Sequence, residues 1–273
     1  MYAQSILTQL RRQFSERPRP LSLRWLLPVV MPLALLLLWQ LVVMLELYPS
    51  FIIPAPLSVW ETFVEVLSDG RLLMHTSVTL TQTLAGLLIG ATAGMVLGYA
   101  IAKSANIDAL LSPIIVALQS TPVVAYAPLL VIWFGSGITS KIITSALIVF
   151  FPMLLNTVVG LRSVPPDLRD VLRLVNASRL QLFTQLEAPY ALPTLLGGLK
   201  VSATLAVIGS VVGEFVSASA GLGWFINDAR YNYDTPRVFV TVLTLALIAR
   251  LLYGAVTVLE TRFLKWQKRS LDS

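Results

Sequence analysis

The sequence predicts an all-α, polytopic membrane protein of about six transmembrane helices. Three observations carry that reading. Of the 273 residues, 56% are hydrophobic and 12% charged, whereas soluble domains carry roughly a quarter charged residues. The apolar residues gather in stretches of roughly 20, enough to cross a bilayer core of about 30 Å at a helical rise of about 1.5 Å per residue. Arginine and lysine collect beside those stretches, as anchors at anionic lipid headgroups do, rather than on a surface suited to nucleic acid.

Residues 1–24 form an amino-terminal tail bearing Arg11, Arg12, Arg17, Arg19 and Arg24, and residues 25–273 form the membrane domain. The first apolar stretch is too long, and begins too far from the amino terminus, for a cleavable signal peptide. Spans are expected near Leu26–Leu45, Leu80–Ala102, Val123–Gly135, Ile138–Leu161, Leu195–Val216 and Val238–Leu259. The third is expected to be broken and to begin as early as Leu110, because Pro113, Pro122 and Pro128 interrupt it and proline removes a helical hydrogen bond. With the amino terminus in the cytoplasm, cytoplasmic segments take both terminal clusters, Lys103, Arg162, Arg169, Arg173 and Arg179. The opposite side takes Arg71, Lys141, Arg230 and Arg237. This bias supports both the orientation and an even number of spans.

The second span carries Gly86, Gly90, Gly94 and Gly98 on one face. Four-residue spacing of this kind lets a neighbouring backbone approach closely, and the alternative use is to line a narrow pathway. Gly209 and Gly213 repeat the spacing in the fifth span.

Chemistry on the chain itself is poorly supplied. There is no cysteine and one histidine, His75, so disulfides, thiol catalysis and cysteine-ligated metals are excluded and a zinc site is unsupported. The segment GSGITSK (residues 135–141) fails the phosphate-loop pattern and falls in a short turn on the outer side.

The longest internal polar segment, about residues 162–193, reads as two short amphipathic helices. Pro165, Pro166 and Asp167 begin the first, with proline in the first turn and a carboxylate at the positive dipole end. Leu168, Val171, Leu172 and Val175 form its apolar stripe. Asn176 ends it, since asparagine tolerates the left-handed conformation of helix ends. The second helix starts near Ser178 and is expected to stop at Pro189 and Pro193, before the fifth span.

This loop resembles the cytoplasmic signature of ABC importer permeases: Glu-Ala-Ala, three residues, Gly, nine residues, then Ile-x-Leu-Pro. Asp170 stands at the acidic position, Val171 and Leu172 at the alanines, and Asn176 at the glycine with Ala177 beside it. Leu186 and Pro189 stand at the isoleucine and proline, and Ala188 replaces the leucine. The segments IIPAPLSVW (52–60), STPVVAYAPLLVIWFGSG (120–137), FFPMLLNTVVGLRSVP (150–165) and GEFVSASAGLGWFI (213–226) are similar to the subfamily importing nitrate, taurine, alkanesulfonates, thiamine precursors and riboflavin.

The resemblance implies a type I ABC importer permease in a bacterial inner membrane, both termini cytoplasmic. It implies two ABC ATPase subunits that use ATP and Mg, and an extracytoplasmic solute-binding protein. A second permease chain, most simply a homodimer partner, completes the assembly, with no cofactor on this chain. Asp170, Val171, Leu172, Asn176, Ala177, Leu186 and Pro189 would couple to the ATPases. The implied solute is riboflavin or a thiamine precursor first, then a sulfonate or taurine, then nitrate.

Gln119, Ser120, Thr121, Asn156 and Glu214 are the polar residues in or beside spans that could line the solute path. Glu214 could instead pair with Arg230 or Arg237. The competing class is an ion-gradient-driven secondary transporter, which ordinarily shows inverted repeats and midplane carboxylates. Neither is evident here.

Overall fold

The structure, a computed structural model, describes residues 27–264. The amino-terminal tail lies outside them, as do Lys265, Lys268 and Arg269 of the carboxyl-terminal basic cluster, whose first member, Arg262, closes α10. The chain divides after Ser58 into two compact units. In the first, α1 (Leu27–Met44) is an apolar helix of 18 residues. Its Trp39 Nε1 donates to the Pro54 carbonyl at 3.0 Å. Helix α2 (Pro56–Ser68) begins at that boundary.

The second unit holds α3 (Arg71–Lys103), α4 (Ala105–Ser120), a 3-10 turn (Val123–Tyr126), α5 (Ala127–Phe134) and α6 (Ile138–Arg162). It continues with α7 (Pro166–Leu174), α8 (Arg179–Val216), α9 (Leu222–Tyr231) and α10 (Thr235–Phe263). Among the described residues four helices, α3, α6, α8 and α10, are long and apolar enough to cross a membrane. The α4–α5 pair passes the same test as a fifth, bent by 87°. The bend falls at Thr121–Pro122, where the sequence predicted a broken third span.

Helix α6 is the centre of this unit. The glycine ladder of α3 lies against it so closely that no Cβ fits. A methyl on Gly90 would sit 2.3 Å from the Ala146 carbonyl oxygen, and one on Gly98 would sit 2.7 Å from that of Leu154. Gly209 of α8 meets Ser145 of α6 from the other side, a Cβ there standing 2.5 Å from the Ser145 Cα. The ladder is therefore a packing seam, with α6 held between α3 and α8. Hydroxyls stitch the seam: Ser145 Oγ donates to the Ala206 carbonyl at 2.9 Å, and Thr83 and Ser210 share a hydrogen bond at 2.9 Å. Lipid tails are as apolar as the side chains, so close packing and such hydrogen bonds must hold spans together. The outward faces are apolar, with Leu88, Ile132 and Leu251 more than half exposed.

Two boundaries differ from the sequence expectation. Helix α3 starts at Arg71 rather than near Leu80, because the polar residues of its first turns, His75 and Thr79 among them, are buried against other elements. Pro189 and Pro193 do not end the second loop helix: α8 runs unbroken for 38 residues. A π turn at Phe183–Glu187 precedes the first proline, and the Ala188 N–H donates to the Phe183 carbonyl. A prolyl ring clashes with the carbonyl four residues back. The wider turn shifts those carbonyls and lets the helix continue.

Candidate functional site

The loop between α6 and α8 is built as the spacing requires. Pro166 occupies the first turn of α7, and Asp167 lies in that turn. The helix closes on Asn176, whose φ is +56°. The Asn176 N–H donates to the Arg173 carbonyl at 2.9 Å and the Ala177 N–H to that of Leu172 at 3.0 Å. That pair of bonds is the Schellman closure, which needs a left-handed residue at this place. Helix α8 then starts on a capping box. The Ser178 hydroxyl accepts from the Gln181 N–H at 3.2 Å, and the Gln181 side chain accepts from the Ser178 N–H at 2.7 Å. The Ser-x-x-Gln pattern was readable in the sequence and went unused.

The outward side of α7 is uncovered. Val171 is 57% exposed, Leu174 82% and Val175 69%, and Asp170 is exposed beside Arg173 at 3.1 Å. Of the other signature positions, Leu172, Ala177, Leu186 and Pro189 are half-buried. Leu186 belongs to the π turn and Pro189 follows it, so these two positions shape the root of the loop.

The inward side of α7 is fastened by a residue that sequence reasoning missed. Glu187, in the π turn, is 1% exposed. Lys103 Nζ, at the carboxyl end of α3, reaches both of its carboxylate oxygens at 2.5 Å. Arg169 Nε of α7 lies 3.3 Å from one of them. Arg169 also donates to the Leu161 carbonyl at 2.7 Å, capping the end of α6. Arg162 bridges the Ile101 carbonyl at 3.2 Å and Asp108 of α4 at 2.7 Å. One buried carboxylate thus ties α7 to the ends of α3 and α8. Glu187 is the variable position of the Leu-x-x-Pro segment, so the signature gave no reason to select it. Its buried charge and two cations are visible only in three dimensions.

The proposed pathway residues separate into two groups. Gln119 and Ser120 are exposed and Thr121 half-buried at the α4–α5 bend. The Asn156 amide donates to the Pro152 carbonyl of its own helix at 2.8 Å, and its side chain lies against Gly198.

Glu214 is 1% exposed. It is not paired with Arg237, which instead meets Asp228 at 3.0 Å and Asp234 at 3.1 Å. Its carboxylate accepts from Thr79 Oγ1 at 2.7 Å and from the Gly223 N–H at 2.6 Å. Gly221 (φ +111°) passes so close that a Cβ would lie 2.1 Å from a Glu214 oxygen. The Gly221 N–H donates to His75 Nδ1 at 3.1 Å and the Leu222 N–H to Thr79 Oγ1 at 2.7 Å. His75, Thr79 and Glu214 therefore take up N–H groups at the start of α9, which would otherwise be unsatisfied.

The family model described as the binding-protein-dependent transport system inner membrane component matches residues 86–265. The riboflavin transport system permease protein RibX of Chloroflexus aurantiacus is 45% identical over 241 residues, 88% of this chain and 90% of that protein. The putative aliphatic sulfonates transport permease protein SsuC of Bacillus subtilis is 32% identical over 89% of this chain and 88% of its own length. An inward-facing structure of the MetNI methionine ABC transporter shares the fold. Its TM-score is 0.61 at 20% identity, over 68% of this chain and 93% of the solved one. With the spans, the loop and these likenesses together, the chain belongs to the family of binding-protein-dependent transport system inner membrane components and is the permease subunit of an ABC importer.

Proposed function

We propose that this permease imports riboflavin or a closely related flavin, and that it is driven by two ATPase subunits docking on α7 of two permease chains. The flavin assignment rests on the 45% identity to RibX over nearly the whole chain. The coupling assignment rests on one observation: α7 leaves its apolar and acidic side uncovered while Glu187 fastens its other side to α3 and α8. A short helix held in this way transmits a push as a lever. ATP and Mg act on the partner ATPases, and an extracytoplasmic binding protein delivers the solute. The chain sits in the inner membrane with α7 and both termini in the cytoplasm, and the second permease chain is a copy of the first. Gln119, Ser120 and Thr121, at the bend, line the pathway, whereas Asn156 and Glu214 serve packing and capping.

The test is reconstitution. Permease, ATPase and binding protein in liposomes should take up riboflavin at the expense of ATP and leave taurine and nitrate outside. Asp170→Lys should reduce ATPase co-purification and uptake together while the permease inserts normally. Uptake of a sulfonate in place of riboflavin would reassign the solute. A parent-level Asp170→Lys transporter would remove α7 from the docking surface.

A further inference from the structure

Helix α10 is 29 residues long, and Arg250 is the sixteenth of them. At a rise of about 1.5 Å per residue it stands roughly 20 Å from either end of the helix, near the middle of a hydrocarbon core about 30 Å thick. The side chain is exposed. Among the described residues it has no hydrogen bond, ion pair or ring contact. The cation on the neighbouring span is treated differently: Lys200 of α8 is ion-paired with Glu260 and lies 5.8 Å from the centre of the Tyr253 ring. Helix α10 packs on α8 and α9. At about 100° per residue, Arg250 points away from Thr241 and Ile248, which are buried. Leu243 and Leu247 share its side of the helix and are more than half exposed. A Cβ added to Gly254, one turn on, would meet nothing closer than Arg250 Nη1 at 3.5 Å. The guanidinium therefore lies over a bare stretch of helix with open space beyond it.

A charge at mid-membrane is costly against lipid, and such residues ordinarily face a partner or a water-filled cavity. Snorkelling to a headgroup serves cations near helix ends, and Arg250 is far from both. A second permease copy supplies no counter-charge. On the crossing helices and the bent pair the carboxylates are Asp108, Glu187, Glu214 and Glu260. Arg162 takes the first, Lys103 and Arg169 the second, Thr79 and the Gly223 N–H the third, and Lys200 the fourth. The copy would instead bring its own Arg250, a like charge. We infer that this face of α10 lines the water-filled solute path of the assembled importer, and that Arg250 holds the solute in transit by donating to its acceptor oxygens. A guanidinium stays charged and presents five N–H donors in a planar fork. That fork suits oxyanions and ring carbonyls alike, so the inference rests on the importer reading and not on the choice of flavin. It adds a charged wall to the path already assigned at the α4–α5 bend.

The first test needs no solute. Arg250→Cys gives the permease a single cysteine, and the permease–ATPase complex in nanodiscs is treated with a permanently charged thiosulfonate or with N-ethylmaleimide. The mass of the permease is then read. A charged reagent reaches a thiol only through water, so position 250 should react with both. Reaction with the maleimide alone places the residue against lipid, and reaction with neither places it in a protein contact; either result overturns the inference. Where Arg250→Cys does not assemble, Leu247→Cys keeps the arginine and decides for the same face. The second test reads the contact itself, as uptake by the complete importer in liposomes. Arg250→Met should lower the maximal rate ~10-fold or more, the value of one charge-assisted hydrogen bond. The concentration of loaded binding protein at half-saturation should not move, and Arg250→Lys should recover part of the rate. Parent-level uptake by Arg250→Met overturns the solute contact. So does a fall in its uptake that merely follows loss of the two-permease assembly by mass. If the parent takes up no riboflavin, the flavin assignment falls alone, and the labelling still decides whether Arg250 faces the path.

Discussion

Asn176 and Glu187 show two ways in which one residue controls the loop. Asn176 has φ +56°, a conformation that glycine adopts freely and that a β-branched residue fits poorly. Asn176→Gly should therefore retain uptake, while Asn176→Val should open the Schellman closure, cost about 1–3 kcal/mol locally and reduce uptake more than membrane insertion. Equal uptake by the two variants would show that the turn does not set the lever. Glu187 meets two cations in a site it does not share with water. Glu187→Gln leaves Lys103 and Arg169 facing an amide. Their side chains remain 35% and 27% exposed, so the loss should be about 2–3 kcal/mol, less than for a fully enclosed pair. ATP hydrolysis should then persist while solute uptake falls, and the ratio of ATP hydrolysed to solute imported is the measurement. An unchanged ratio would mean that the carboxylate only stabilises the fold.

Helices α3 and α6 meet backbone to backbone, so their seam is sensitive to a single methyl. Gly90→Leu places atoms where the Ala146 carbonyl already lies, and overpacking of this kind costs about 1–3 kcal/mol or more. Gly197 has no neighbour within 4 Å of an added Cβ, and Gly197→Ala should be neutral or slightly stabilising through helix propensity. Thermal stability of the two variants in detergent, compared side by side, checks the seam: a smaller loss at Gly90 than at Gly197 would contradict it. The same four-residue spacing was legible in the sequence, along with the broken third span and both loop helices. The continuity of α8 was not. A proline reads as a stop, and the π turn that lets the helix pass it has no sequence pattern of its own here. Glu187, at its carboxyl end, is held by Lys103 and Arg169.

Within the second unit, ion pairs gather near both ends of the spans. At one end Glu187 meets Lys103 and Arg169, and Arg162 separately meets Asp108. Asp228, Asp234 and Arg237 form the other, where Arg237 also lies over the Phe225 ring at 5.1 Å. Single cysteines placed in this naturally cysteine-free chain should report the orientation. Position 169 should resist an impermeant reagent applied to intact cells, while position 230, exposed next to α10, should react. Reversed labelling would invert the topology.

Composition, span length and basic bias determined the fold class from the sequence alone, because the bilayer allows few solutions to backbone hydrogen bonding. The loop was equally legible: its helix starts, its left-handed closure and its signature spacing are local features of consecutive residues. Tertiary structure decided what depends on residues far apart in the chain. It gave Glu214 to Thr79 and Gly223 rather than to an arginine, and joined Glu187 to Lys103 across 84 positions. A buried polar group takes whichever partner the packing of distant helices brings within reach, and no local pattern encodes that choice.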